Sequence, residues 1–321
     1  MTAYIIRRLF FLIPLLLIMT FIGFVAINLA PGNYFDKLKQ NPQISEETIK
    51  LYEQRYHLDK NVFIQYYYWF LNVARFDFGY SFAYKRPVVA VLKSRLFNTF
   101  ILSLSAFLFS WLIALPIGIY CAVHQYKIGD RIFSFLSFIG LSIPNFFFAL
   151  ILLYLASLTG VLPTGGMRSL HYLELSALAR FWDLIRHLVI PTLVLGTSSI
   201  AGLQRLMRGN MLEILRSQYI TTARAKGLAE NRVIYVHAVR NAINPMVTIF
   251  GASLSGLLSG AALTEIICSW PGLGSLMLEA VMGQDLFLFA GDLLMTGFLL
   301  IIGYLIADIL LAWVDPRIQY R

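Results

Sequence analysis

The sequence predicts an all-α integral membrane protein with six transmembrane helices, cytoplasmic N- and C-termini, and an extracytoplasmic insertion after helix 1. Three observations carry that reading. Apolar residues fill 58% of the 321 positions and charged residues 13%, half the roughly 25% usual in soluble domains. A water-soluble fold could not hide that excess. Several uncharged runs reach the roughly 20 residues that cross a hydrocarbon core, and basic residues gather in the segments this topology leaves inside.

Taken in order, the first span is Leu9 to Ala30. It follows Arg7 and Arg8, as a signal peptide would, but it is longer than a signal core and no small-x-small cleavage site follows, so it reads as an uncleaved span. The insertion runs from Pro31 to Arg95. In it, Ser45 before Glu46 and Glu47 signals a helix start, and "ETIKLYEQRYHL" has apolar residues at helical spacing. The Tyr- and Trp-rich stretch Phe63 to Phe82 suits the headgroup region; an aromatic platform for a ligand or docking partner is the alternative. The remaining spans are Leu96 to Val123, Ile132 to Leu162, Leu188 to Leu203, Ile243 to Thr264, and Leu293 to Val314, the last interrupted only by Asp308. Pro14, Pro116, Pro144, Pro191 and Pro245 fall in or at the ends of spans, so each predicts a kink or break unless neighbouring helices compensate. The resulting organisation is residues 1–30 (N-terminus and first helix), 31–95 (insertion) and 96–321 (five-helix core carrying a cytoplasmic loop, 205–242).

A net charge of +9 raises the question of nucleic acid, and the distribution answers it. Cytoplasmic segments of this topology hold 13 Lys and Arg against three (Arg168, Arg180, Arg186) in the short outer segments, so the excess follows the positive-inside rule. Lys85, Arg86, Lys93 and Arg95 lie outside, on a long translocated segment of the kind that escapes the rule. Cys121 falls near the inner surface and Cys268 near the outer one, too far apart for a disulfide.

Chemical motifs are missing. The sequence contains no "GxxxxGK[ST]", "HExxH" or "GxSxG", and its five histidines are scattered, so no catalytic, cofactor-binding or metal site is predicted. Glu265, Asp292 and Asp308 raise the alternative of a proton-coupled secondary transporter, because ionisable groups inside a bilayer are costly and kept for coupling. Against that, all three read as surface-level carboxylates or local ion pairs near span ends.

The loop between spans four and five is the most polar part of the core. Arg205 to Arg240 carries seven basic residues against Glu213 and Glu230. Met211, Leu212, Leu215, Tyr219 and Ala223 form an apolar stripe at helical spacing. Lys226 followed by Gly227 is a helix stop, and a second helix begins near Glu230 or Asn231. A helix on anionic lipid, a topology anchor or a solvated loop would share this charge. The small residues Ala223, Ala225 and Gly227 instead suggest a bend that another backbone approaches closely.

The motifs "YITTARAKGL", "HAVRNAINPMVT", "LTEIICSWPGLG" and "VDPRIQY", with "RHLVIPTLVLG", "LSIPNFFFAL", "LPTGG", "DFGYSF" and "YIIRRL" upstream, closely resemble the B-type membrane subunit of dipeptide and oligopeptide ABC importers. The resemblance implies that Tyr219, Thr222, Ala223, Arg224, Ala225, Lys226, Gly227 and Leu228 form a coupling loop fitting a groove on a separate ATPase. The generic "EAAxxxG" pattern aligns with Thr221, Thr222 and Ala223, so its Glu is absent here, while "TARAKGL" matches in full. The resemblance also implies two ATPase subunits carrying ATP and Mg, a C-type permease completing the pore, and a bacterial cytoplasmic (inner) membrane location. An extracytoplasmic binding protein would deliver peptides to the outer face, where Trp270, Pro271, Gly272 and Gly274 are candidate contacts.

Overall fold

The computed structural model describes residues 2–32, 34, 46–247, 249–250, 253 and 262–314. The chain divides into two packed units, one formed by residues up to Thr99 with Pro271–Ile302, the other by Phe100–Trp270 with the stretch from Gly303 onward.

In the first unit, α1 (Thr2–Leu29) starts seven residues before the expected span and passes through Pro14 without a break. The insertion adds α2 (Glu46–Arg55), α3 (Val62–Val73) and a hairpin of two short strands, β1 (Tyr80–Ser81) and β2 (Arg86–Pro87). The predicted cap Ser45 lies outside the described residues. α3 is apolar on two sides. Tyr66 donates from its hydroxyl to the Leu17 carbonyl at 2.9 Å and Trp69 rests on Phe24, while Phe63, Tyr67, Tyr68 and Leu71 stay exposed.

The hairpin, which the sequence reading did not anticipate, is pinned by Asp285. That carboxylate accepts from the Ser81 hydroxyl at 2.7 Å and the Ala83 amide at 3.0 Å. Arg95 and Tyr84 meet on Glu279, so Arg95 is held by an ion pair. The unit also holds α12 (Leu273–Gly283) and the first half of α13 (Leu286–Val314), which begins seven residues before the expected sixth span.

The second unit takes most of α4 (Val88–Val123), then α5 (Ile128–Ser142), α6 (Asn145–Thr159), α7 (Ala177–Leu215), α8 (Gln218–Ala225), α9 (Glu230–Arg232), α10 (Val239–Ala242) and α11 (Ala262–Ile267). The apolar run Ile132 to Leu162 is not one straight span: α5 and α6 meet at 103°. Ile143 is extended (ψ 120°), as a residue before proline prefers, and Pro144 cannot donate to the carbonyl one turn back, so the helix stops there. Pro116 and Pro191, by contrast, lie inside continuous helices. The short run Leu188 to Leu203 turns out to be the middle of the 39-residue α7.

Among the described residues, three helices are long and apolar enough to cross a membrane, or four if the bent pair is counted as one span. The apolar portion Ile13–Leu29 of α1 is shorter, and half of the expected span Ile243 to Thr264 lies outside the described residues.

Candidate coupling loop

The polar loop grows directly out of α7. Met207 and Met211 on the last turns of α7 are fully buried, in a core shared with Phe107, Trp111, Ile220, Val233, Ile234 and Ala238. The predicted stripe from Met211 to Ala223 is not one helix. α7 ends at Leu215, Arg216 and Ser217 turn the chain, and Ser217 adopts the extended backbone (ψ 152°) of a helix N-cap before α8. The change of axis alters which residues point inward. Ile220 is fully buried while Tyr219 is 46% exposed, so the anchor expected of Tyr219 falls to its neighbour. Burying an isoleucine side chain contributes roughly 2 kcal/mol, enough to fix α8 against the core.

The stop at Lys226 and Gly227 forms as expected. Gly227 has φ +76°, a conformation side chains with a Cβ resist. Its amide donates to the Arg224 carbonyl at 2.9 Å and the Leu228 amide reaches back to Ala223 at 3.4 Å, the two bonds of a Schellman turn. Leu228 and Ala223 both lean on the core, closing the apolar contact that accompanies this motif. Space beside Gly227 is open: a Cβ placed there meets nothing within 4 Å. Thr222, Arg224, Ala225, Lys226 and Gly227 all stand exposed around the bend, whereas Ala223 is half-buried on the inner side.

Arg224 donates a fork of two hydrogen bonds, 3.1 and 2.7 Å, to Glu230 across the bend. The guanidinium lowers the proton affinity of the Glu230 carboxylate, and the carboxylate raises that of Arg224. Beyond it the chain enters a π-helical stretch, Val233–Ala238, whose wider turn still places Val233, Ile234 and Ala238 in the core.

A second fork holds the stem. Arg208 on α7 donates at 2.8 Å to each oxygen of Asp130 in the first turn of α5. Asp130 also accepts from the Tyr126 amide at 2.9 Å, and its side chain is 4% exposed. One turn on, buried Gln204 accepts from Ser137 at 3.0 Å. The stem of the loop is thereby fastened to the neighbouring membrane helix.

The remaining predicted residues fall elsewhere. Trp270 is fully buried among Leu102, Met167 and Leu188, and its amide donates to the Glu265 carbonyl at 2.7 Å. Gly272 is buried as well, and Pro271 and Gly274 are half-buried, so this loop is largely packed inside the protein. Gly165 of "LPTGG" has φ +146°, and a Cβ on it would come within 3.1 Å of the Cys268 carbonyl. That carbonyl accepts from the Gly166 amide, which ties two motifs far apart in the chain.

Of the two expectations for these groups, surface-level carboxylates or local ion pairs, the first fails for Glu265 and Asp292, both 0% exposed, while Asp308 is half-buried. Among the described residues, no three His, Cys, Asp or Glu converge as metal ligands.

Sequence reasoning missed Ile220, Ser217 and both forks. Ser217 occupies the N-cap position of α8, but the apolar stripe running through it masked the turn. The Arg208–Asp130 pair, 78 residues apart, had no local signal.

Residues 114–320 match the family described as the binding-protein-dependent transport system inner membrane component. The chain is 40% identical over 322 residues to an oligopeptide transport system permease protein of Bacillus subtilis, covering 100% of both chains. It is 34% identical to a dipeptide transport system permease protein of Escherichia coli and 32% identical to a glutathione transport system permease protein of Salmonella typhi, again with full coverage of each. Among solved structures, an inward-facing MetNI methionine ABC transporter chain superposes with a TM-score of 0.54 at 18% identity, covering 71% of this chain and 97% of the other.

Proposed function

Since the chain belongs to the family of binding-protein-dependent transport system inner membrane components, we propose that it is a permease subunit of an ATP-driven peptide importer, coupled to separate ATPases through α8 and the Gly227 bend. It crosses the membrane six times with both termini inside. A second permease of related type completes the path, two ATPase subunits bind and hydrolyse ATP with Mg, and an extracytoplasmic binding protein delivers cargo. The chain itself is non-catalytic. The peptide cargo is drawn from the names of the full-length relatives, two of which are oligopeptide and dipeptide permeases.

One observation carries the coupling assignment. α8 is fastened on one side by Ile220 and presents Thr222, Arg224, Ala225, Lys226 and Gly227 on the other, around a bend with open space beside it. A solvated loop would not need that anchoring, whereas a surface that transmits force must be held rigidly to the helices it moves. A partner shifts the permease between states only by binding them unequally, and a fixed α8 makes that difference available to α7.

The proton-coupled alternative built on Glu265, Asp292 and Asp308 gives way to family membership. The test is direct. Ala225→Trp on the exposed side should abolish co-purification of the ATPases while the chain still inserts and keeps its thermal midpoint. Uptake into vesicles should continue when the proton gradient is dissipated at constant ATP. Full complex and normal uptake in Ala225→Trp would refute the docking assignment.

A further inference from the structure

The second unit contains a cavity of about 530 Å³, within the range of about 300–1,000 Å³ that holds small organic ligands. Its walls come from α4, the start of α6 and α7, with Ile249 and Ser253. Most of the lining is apolar, and its polar groups are uncharged hydroxyls and one amide. Ser103, Ser110, Ser198, Ser199 and Asn145 are among the lining residues, together with Trp111. Among the described residues, no Asp, Glu, Lys, Arg or His lines it.

The helix break accounts for Asn145 being there. Ile143 and Pro144 are extended inside what would otherwise be a continuous span. Non-helical backbone at membrane depth is tolerated only where protein buries it or where it borders a wet cavity. Interrupted membrane helices are also where transporters place their binding sites. The "SIPN" motif thus has a use beyond stopping α5: it turns the chain so that the first residue of α6 reaches the cavity.

We propose that this cavity is a station on the cargo path that holds peptides through their main-chain amides and leaves side-chain charge unread. This rests on the importer reading above and adds the recognition chemistry. Serine hydroxyls that donate to their own helix, as Ser198 and Ser199 do to the Leu195 carbonyl, keep lone pairs that accept peptide N–H groups. Asn145 offers both donor and acceptor to the repeating amide. Neutral hydrogen bonds are weak enough net to let the cargo go, which a transport path requires. A fixed charge at this depth would hold one sign of side chain and repel the other.

Gly202 supplies the test. It lines the cavity, and a Cβ built on it meets nothing within 4 Å, so a side chain can be introduced there without a clash at its first carbon. The complete importer is reconstituted in liposomes with internal ATP and assayed with labelled trialanine and with tripeptides carrying Lys or Asp at the centre.

Gly202→Ala should transport normally and Gly202→Leu less. Gly202→Trp should lose about tenfold or more for all three peptides with subunit composition unchanged. Ser199→Asp should raise the Lys-to-Asp uptake ratio by about fivefold relative to the unaltered importer. Wild-type uptake by Gly202→Trp overturns the proposal. So does loss of the second permease from that variant, which would make this face an interface, and so does an unchanged ratio in Ser199→Asp. An unaltered importer that carries none of the three peptides overturns the peptide function itself before any variant is compared.

Discussion

Two arginine–carboxylate forks in the same unit have nearly the same geometry and opposite surroundings. Arg208 and Asp130 meet at 2.8 Å with side chains 24% and 4% exposed, and Arg224 and Glu230 meet at 2.7 Å with 43% and 54% exposed. Bond length therefore says little about what each contributes. In the inner pair Asp130 has been taken out of water and Arg208 is mostly covered, so removing either member strands the other, whereas the outer pair is largely replaced by solvent when broken. The inner fork joins two membrane helices, and the outer one braces a bend that another protein is proposed to grip.

The sharpest way to break that contrast is Asp130→Ala. It should cost about 3–5 kcal/mol, because it leaves a guanidinium without its buried partner. The thermal midpoint of the purified chain reads this out, and exchanging the two charges, Asp130→Arg with Arg208→Asp, should recover part of the loss. A cost no larger than that of Glu230→Ala would erase the distinction.

Gly227 comes next. Gly227→Ala should cost roughly 1 kcal/mol for its positive φ. Gly227→Pro cannot adopt φ +76° at all and should uncouple ATPase association with membrane insertion intact, measured by co-purification.

The smallest effect belongs to the outer fork. Arg224→Ala should cost less than about 1 kcal/mol, and the loss should shrink further in 1 M salt, where screening acts over only about 3 Å. Because the folded state holds Glu230 below the ordinary glutamate value of 4.5, the pair's contribution is complete above that value and fades as pH falls through the lower folded one. Stability differences between Arg224→Ala and the unaltered chain should accordingly be flat from about pH 6 to 8 and vanish only in acid, which a denaturation series across pH would show.

The parts of this molecule legible in its sequence are those governed by neighbours along the chain. The apolar runs, the stop at Gly227 and the helix at Glu46–Arg55 all follow from spacing and from single-residue backbone preferences. Pro144 was legible as a break, but its consequence, Asn145 facing a cavity, was not, since it depends on where α4 and α7 lie. The turn at Ser217 was hidden by an apolar pattern that ran through it without a gap. The Asp285 anchor of the hairpin and the Asp130 fork depend on partners 204 and 78 residues away. No local pattern distinguishes those two carboxylates from the exposed Glu213.

One last consequence follows from the unbroken α7. Its 39 residues make a rod about 58 Å long, ending two residues before α8 and carrying Pro191 and four serine or threonine residues from Thr192 to Ser199 along the way. A rod of that length pivoting near its middle moves its two ends in opposite directions. A tilt of about 10° would displace the tips by some 10 Å relative to one another, so a modest push at one end is felt at the other with no hinge in between.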